Sequence, residues 1–136
     1  MDMSLNYLPD VAHILIGFFF LFFGGWNLYH WAPTLDAMKQ KRIPFAAWLL
    51  GLGIITQSIC GLLIFIGLYV KLVALILIPF TIIVVNVFHS FWQFKGELRQ
   101  LNFAIYITHM TMTLAGLILL LNTVVPNHTI LDLLAR

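Results

Sequence analysis

The stretch "VVNVFHSFWQFKG", residues 84–96, ends an apolar run on Asn86, His89 and Trp92 before the first charge, Lys95, appears. An imidazole can hand on a proton, hold a metal or donate a hydrogen bond, and amides and indoles supply further hydrogen bonds. Asn27 and His30 repeat the three-residue spacing of Asn86 and His89, which keeps each pair on one helical face. Farther along, Asn102, Tyr106, His109 and Thr113 follow at intervals of four, three and four, a stripe at the helical period. His109 is flanked by apolar residues, and an ionisable group within a span usually faces a cavity or a partner. Asn27, His30, Asn86, His89, Trp92, Tyr106 and His109 therefore form the candidate ligand-binding set.

Three chemistries suit such a set. A quinone pocket needs an apolar slot with one or two donors for the carbonyl oxygens, and His, Asn, Tyr and Trp supply them. A b-type haem needs two axial histidines, but His30 and His89 are expected at the rim and His109 deeper, so no pair at one depth stands out. A metal site built on His30, His89 and His109 has no carboxylate or thiolate nearby, and no metal is expected. Quinone is the preferred ligand, with haem b behind it. Plainer roles compete for the same residues. His30, His89 and Trp92 can be interfacial anchors, Asn86 can tie two helices together, and Tyr106 and the threonines can satisfy themselves locally.

The elements that must carry these residues follow from hydropathy. The chain has 136 residues, 62% of them apolar and only 9% charged. Mean hydropathy is +1.00. A soluble domain carries about a quarter charged residues. Here the charges leave four free stretches, 11–35, 43–70, 72–94 and 100–131, each beyond the ~20 residues that cross a bilayer core as a helix. Their length and lack of alternation fit no β-barrel. The expected fold is all-α, one transmembrane four-helix bundle with helices over about 10–31, 44–68, 71–93 and 100–122. Between the first two spans, "HWAPTLDAMKQKRIP" reads as a short interfacial segment. Trp31 should lie at headgroup level, Pro33 and Thr34 should act as breaker and cap, and Leu35 and Met38 should share a side. Pro44 is expected near the first turn of the second span, and Pro79 as a kink in the third.

Lys39, Lys41, Arg42, Lys95 and Arg99 lie in the two longer connections, against Lys71 and Arg136 on the other side. That bias places the longer connections in the cytoplasm and both termini in the periplasm. The N-terminus lacks the basic start of a cleavable signal peptide and is expected to be the first span. The single cysteine, Cys60, excludes an internal disulfide or a CxxC pair. A net charge of +2 gives no footing for nucleic acid. His13 belongs to the opposite end of the first helix, and "NHT" around His128 matches a permissive glycosylation pattern. Gly17, Gly24, Gly25, Gly51, Gly53, Gly61, Gly67 and Gly116 stud the spans and should allow close helix approach, within one chain or in a homodimer.

The chain resembles the DoxX family of small bacterial four-helix membrane proteins over roughly residues 10–122. The resemblance is carried by "FFGGWNLYHWAP", "AWLLGLGIITQSICGLLIFIG", "HSFW" and "AGLILLLNT". Arg99 and Asn102 of "LRQLNF" match loosely the Lys-Asn pair that often opens the last helix of such proteins. The resemblance implies a multi-pass protein of the bacterial inner membrane. It also implies an accessory subunit of a membrane redox system, as in quinone-linked sulfur oxidoreductases, with a redox protein as partner. At residue level it extends only to Gly24, Gly25, His89, Phe91 and Trp92 and establishes no catalytic residue. The rival readings are a non-catalytic membrane partner or assembly factor and, third, a b-type haem protein.

Overall fold

The computed structural model describes residues 8–122; His128 and the "NHT" tripeptide lie outside the described residues. Six α-helices follow in order: α1 Leu8–Tyr29, α2 Trp31–Gln40, α3 Ala46–Phe65, α4 Val70–Phe88, α5 Gly96–Thr108 and α6 Leu114–Asn122. A 3-10 turn, Phe91–Gln93, follows α4, and a π-helical segment, His109–Thr113, joins α5 to α6. Four segments are long and apolar enough to cross a membrane: Leu8–Tyr29, Ala46–Phe65, Val70–Gln93 and Gly96–Asn122. No strand occurs among the described residues. The protein is an all-α, multi-pass membrane bundle, as its charge-free runs predict.

The outer faces of the spans remain apolar. Leu15, Phe18, Leu52, Ile83 and Leu119 are all exposed. In water such a surface would drive aggregation, whereas in a bilayer it is solvated by lipid. Within the bundle Phe20, Cys60, Ile64, Val73, Ala74, Leu77, Leu117 and Leu120 form one buried cluster.

α1 and α3 make the tightest antiparallel contact, and glycine is what permits it. A Cβ placed on Gly61 would come within 2.8 Å of the Leu21 nitrogen, and one on Gly24 would collide with the Ser58 hydroxyl. Gly17 meets the Phe65 backbone in the same way. Gly25 and Gly53 have nothing within 4 Å of that position, so the expectation of close packing holds for some glycines of the set and not for these two. At the far end His13 Nδ1 lies 2.9 Å from the Ile64 carbonyl and Nε2 lies 3.5 Å from Asp10, a tie between the start of α1 and the end of α3.

Local structure departs from expectation at the ends of α2 and α3 and within the last span. The chain breaks at His30 (φ −96°, ψ 34°), not at Pro33, and Pro33 sits in the first turn of α2. A proline costs nothing there, because first-turn N–H groups have no helical acceptor. Thr34 is inside the helix, and His30 makes no side-chain cap. Leu35 and Met38 do pack together, on Ala46, Leu50 and Ile54 of α3. The turn back into α3 uses left-handed backbone at Arg42 (φ 55°) and Phe45 (φ 53°), so Pro44 precedes the helix and does not occupy its first turn. Pro79 lies inside α4, as its position in the third span predicts. The last span is not uniformly α-helical either: the π segment starts at His109.

Candidate functional site

A cavity of about 780 Å³ opens among α1, α2, α3 and α4 at the end carrying Lys41. Most of its wall is aromatic or aliphatic, with Phe19, Phe23, Trp26, Phe80 and Phe88 among the lining residues. Its polar lining comes from Asn27, His30, Thr34, Thr56, Gln57, Thr81, His89 and His109. Pockets of roughly 300–1,000 Å³ with few convergent polar groups are the usual form of small-molecule sites.

Each polar group is positioned by its helix. Just beyond α1, His30 Nδ1 lies 3.0 Å from the Trp26 carbonyl. A carbonyl only accepts, so Nδ1 carries the proton. The Trp26 and His30 rings are 4.2 Å apart. One turn deeper, the Asn27 amide donates to Gln57 Oε1 at 3.4 Å, joining α1 to α3.

The end of α4 is held from two directions. The Asn102 amide donates to Leu98 O, so its carbonyl oxygen is free to accept from His89 Nδ1 at 3.2 Å. That network puts the His89 proton on Nδ1 and leaves Nε2 as the acceptor. From the other side Lys41 donates to the carbonyls of Val87 and Phe88 and to the Ser90 hydroxyl. These are carbonyls at a helix C-terminus, where a cation also complements the helix dipole. Partial burial lowers the pKa of Lys41 from the ordinary lysine value.

His109 opens the π segment, and its Nδ1 lies 3.3 Å from Thr113 Oγ1. Its ring sits 5.6 Å from Phe19 and 6.4 Å from Phe23 on α1, and 5.9 Å from His89 at an interplanar angle of 17°. His89 and His109 are thus neighbours. The π turn carries His109 into the space between α1 and α4, a common use of such segments.

Asn27, His30, His89 and His109 therefore share one cavity. Asn86, Trp92 and Tyr106 do not line it. Tyr106 donates to Asn86 Oδ1 at 3.4 Å while the Asn86 amide donates to Ile82 O. Trp92 is exposed and packs on Phe91 and Tyr106. These three tie span 4 to the end of span 3 beside the cavity.

Gln57, Thr81 and Lys41 stand outside the candidate set read from sequence. Gln57 is the only amide well inside the second span, and Thr81 is the only polar side chain from 72 to 85. Isolation of that kind is a signal open to a sequence reading. Nothing in sequence connects Lys41 with the end of α4, forty-six residues later. Among the described residues no carboxylate lines the cavity. Among the described residues no group of three or more His, Cys, Asp or Glu side chains converges. The arrangement can hold a neutral molecule with a flat or branched apolar body and one or two hydrogen-bonding oxygens.

A family model described as DoxX matches residues 9–90, from α1 to the end of α4. No curated protein and no solved structure matches the chain. The DoxX match covers more than half of the sequence, and the chain belongs to the DoxX family.

Proposed function

We propose that this DoxX-family protein is an accessory subunit of a membrane redox system and that its cavity holds a lipid-soluble quinone. The observation that carries the reading is the cavity itself. Its aromatic walls suit a flat ring, and His30, His89 and His109 among its lining residues offer hydrogen bonds to quinone carbonyls. In this reading the chain binds and orients the quinone, and a partner redox protein supplies the electrons. In this reading the membrane is the bacterial inner membrane. The basic end, with Lys39, Lys41, Arg42, Lys95 and Arg99, faces the cytoplasm, and both termini are periplasmic. A reporter active only in the periplasm, fused after Arg136, should be active; silence there, with activity from a cytoplasmic reporter, reverses the orientation.

A second reading, a non-catalytic partner or assembly factor, is favoured by α5. None of its residues is buried, and Leu98, Leu101 and Phe103 are exposed along it. Extraction of the purified protein and mass spectrometry of what co-purifies separates the two. Stoichiometric quinone supports the redox subunit. Phospholipid alone supports the partner, and a haem absorption band would replace both.

A further inference from the structure

Thr81 is 4% exposed, lines the cavity, and its hydroxyl has no hydrogen-bond partner among the described residues. Helical threonines ordinarily bond to the carbonyl four residues back. Thr108 and Thr111 do so here, to Ala104 O at 2.8 Å and Ile107 O at 2.7 Å. Thr81 does not. A buried hydroxyl left without a partner costs free energy, so its position calls for an occupant of the cavity that completes it. Gln57 is 8% exposed and lines the same cavity. Among the described residues its one hydrogen bond is that from Asn27, which leaves its amide with donors to spare. Thr81 lies seven residues before the end of α4, about 10 Å inside at the helical rise. Gln57 lies eleven residues after the start of α3, about 16 Å inside.

We infer that the cavity binds its ligand with the polar head inward: a carbonyl or hydroxyl oxygen seats on the Thr81 hydroxyl beside the Asn27–Gln57 amide pair. The ligand class is a hydrocarbon-tailed molecule with a hydrogen-bonding oxygen, quinone being one member. The inference rests on the cavity being a ligand site and not on the redox role. Thr81 is then a residue that selects for a polar head.

The test compares wild type with Thr81→Val and Thr81→Ser in detergent, reading the melting temperature against concentration of three probes. The probes are decylubiquinone, 1-dodecanol and n-dodecane. Thr81→Val keeps the side-chain shape and should melt higher than wild type when empty, because the unpartnered hydroxyl is gone. It should bind decylubiquinone and dodecanol about tenfold more weakly, with dodecane unchanged. Thr81→Ser should bind close to wild type. Equal affinity of Thr81→Val and wild type for both oxygen-bearing probes overturns the inference while leaving quinone binding intact. That outcome means buried water completes the hydroxyl. Dodecanol binding that depends on Thr81, without decylubiquinone binding, supports the inference and removes the quinone reading. If no probe raises the wild-type melting temperature, both fall.

Discussion

The imidazoles of His89 and His109 stack with centroids 5.9 Å apart and planes 17° from parallel. His89 is the first residue beyond α4, and His109 is the first of the π segment. The pair therefore joins the end of span 3 to the π segment of span 4, and each ring has a second tether, Asn102 for His89 and Thr113 for His109. Rings in such contact are worth about 0.5–1.5 kcal/mol beyond the area they bury. The single variants His89→Ala and His109→Ala should each lower stability in detergent. The double variant should lose less than the sum, by a coupling energy of that size. Strict additivity in the cycle would mean the rings are neighbours without mutual stabilisation.

The glycines divide by what faces them. Gly24→Ala and Gly61→Ala force a methyl against Ser58 and against the Leu21 backbone, and overpacking of this kind costs about 1–3 kcal/mol. Gly25→Ala meets open space and should match wild type or gain up to about 1 kcal/mol from helix propensity. Melting curves that rank Gly25→Ala below Gly61→Ala would show that the α1–α3 contact is not where the bundle is tightest.

Lys41 anchors the turn between α2 and α3 to the end of α4. Lys41→Met keeps most of the stem and removes the donor, leaving the Val87 and Phe88 carbonyls to find water. A loss of about 1–3 kcal/mol is expected. The sign with pH follows from the lowered pKa. Between the folded and the ordinary value the unfolded chain holds more protons, so wild-type stability should rise with pH through that window. Lys41→Met should lack that component. Denaturation midpoints measured across the alkaline range check both points, and identical slopes in the two proteins would contradict the second.

The spans were legible because charge is absent from four long runs, and lipid tolerates little charge. That His30, His89 and His109 line one cavity was legible from helix direction, since spans 1 and 3 end where span 4 begins. Other features were hidden for physical reasons. Pro33 looks like a breaker, yet a first-turn position has no hydrogen bond for it to break. A π turn leaves no periodic trace in a sequence, so the approach of the His109 ring to His89 was not legible from spacing. Asn86 and His89 share a face by spacing, but His89 lies beyond the last helical residue of α4. The backbone there leaves the helix, and only His89 reaches the cavity. Thr81 matters through what it fails to bond, which only coordinates can reveal.

The central claim is that the cavity is a ligand site for a lipid-soluble, oxygen-bearing molecule. Gly53 lines it and has no atom within 4 Å of where a Cβ would stand, so Gly53→Leu should fold and place its side chain in the ligand's space. Trp26 lines the same cavity, and a quinone ring bound beside it will quench its fluorescence. The direct measurement is titration of wild type and Gly53→Leu with decylubiquinone, following tryptophan emission at matched melting temperature. Saturable quenching in wild type and its loss in Gly53→Leu, with His13→Ala at the far end binding as wild type, is the predicted result. Equal saturable quenching in wild type and Gly53→Leu, or none in wild type, would contradict the account.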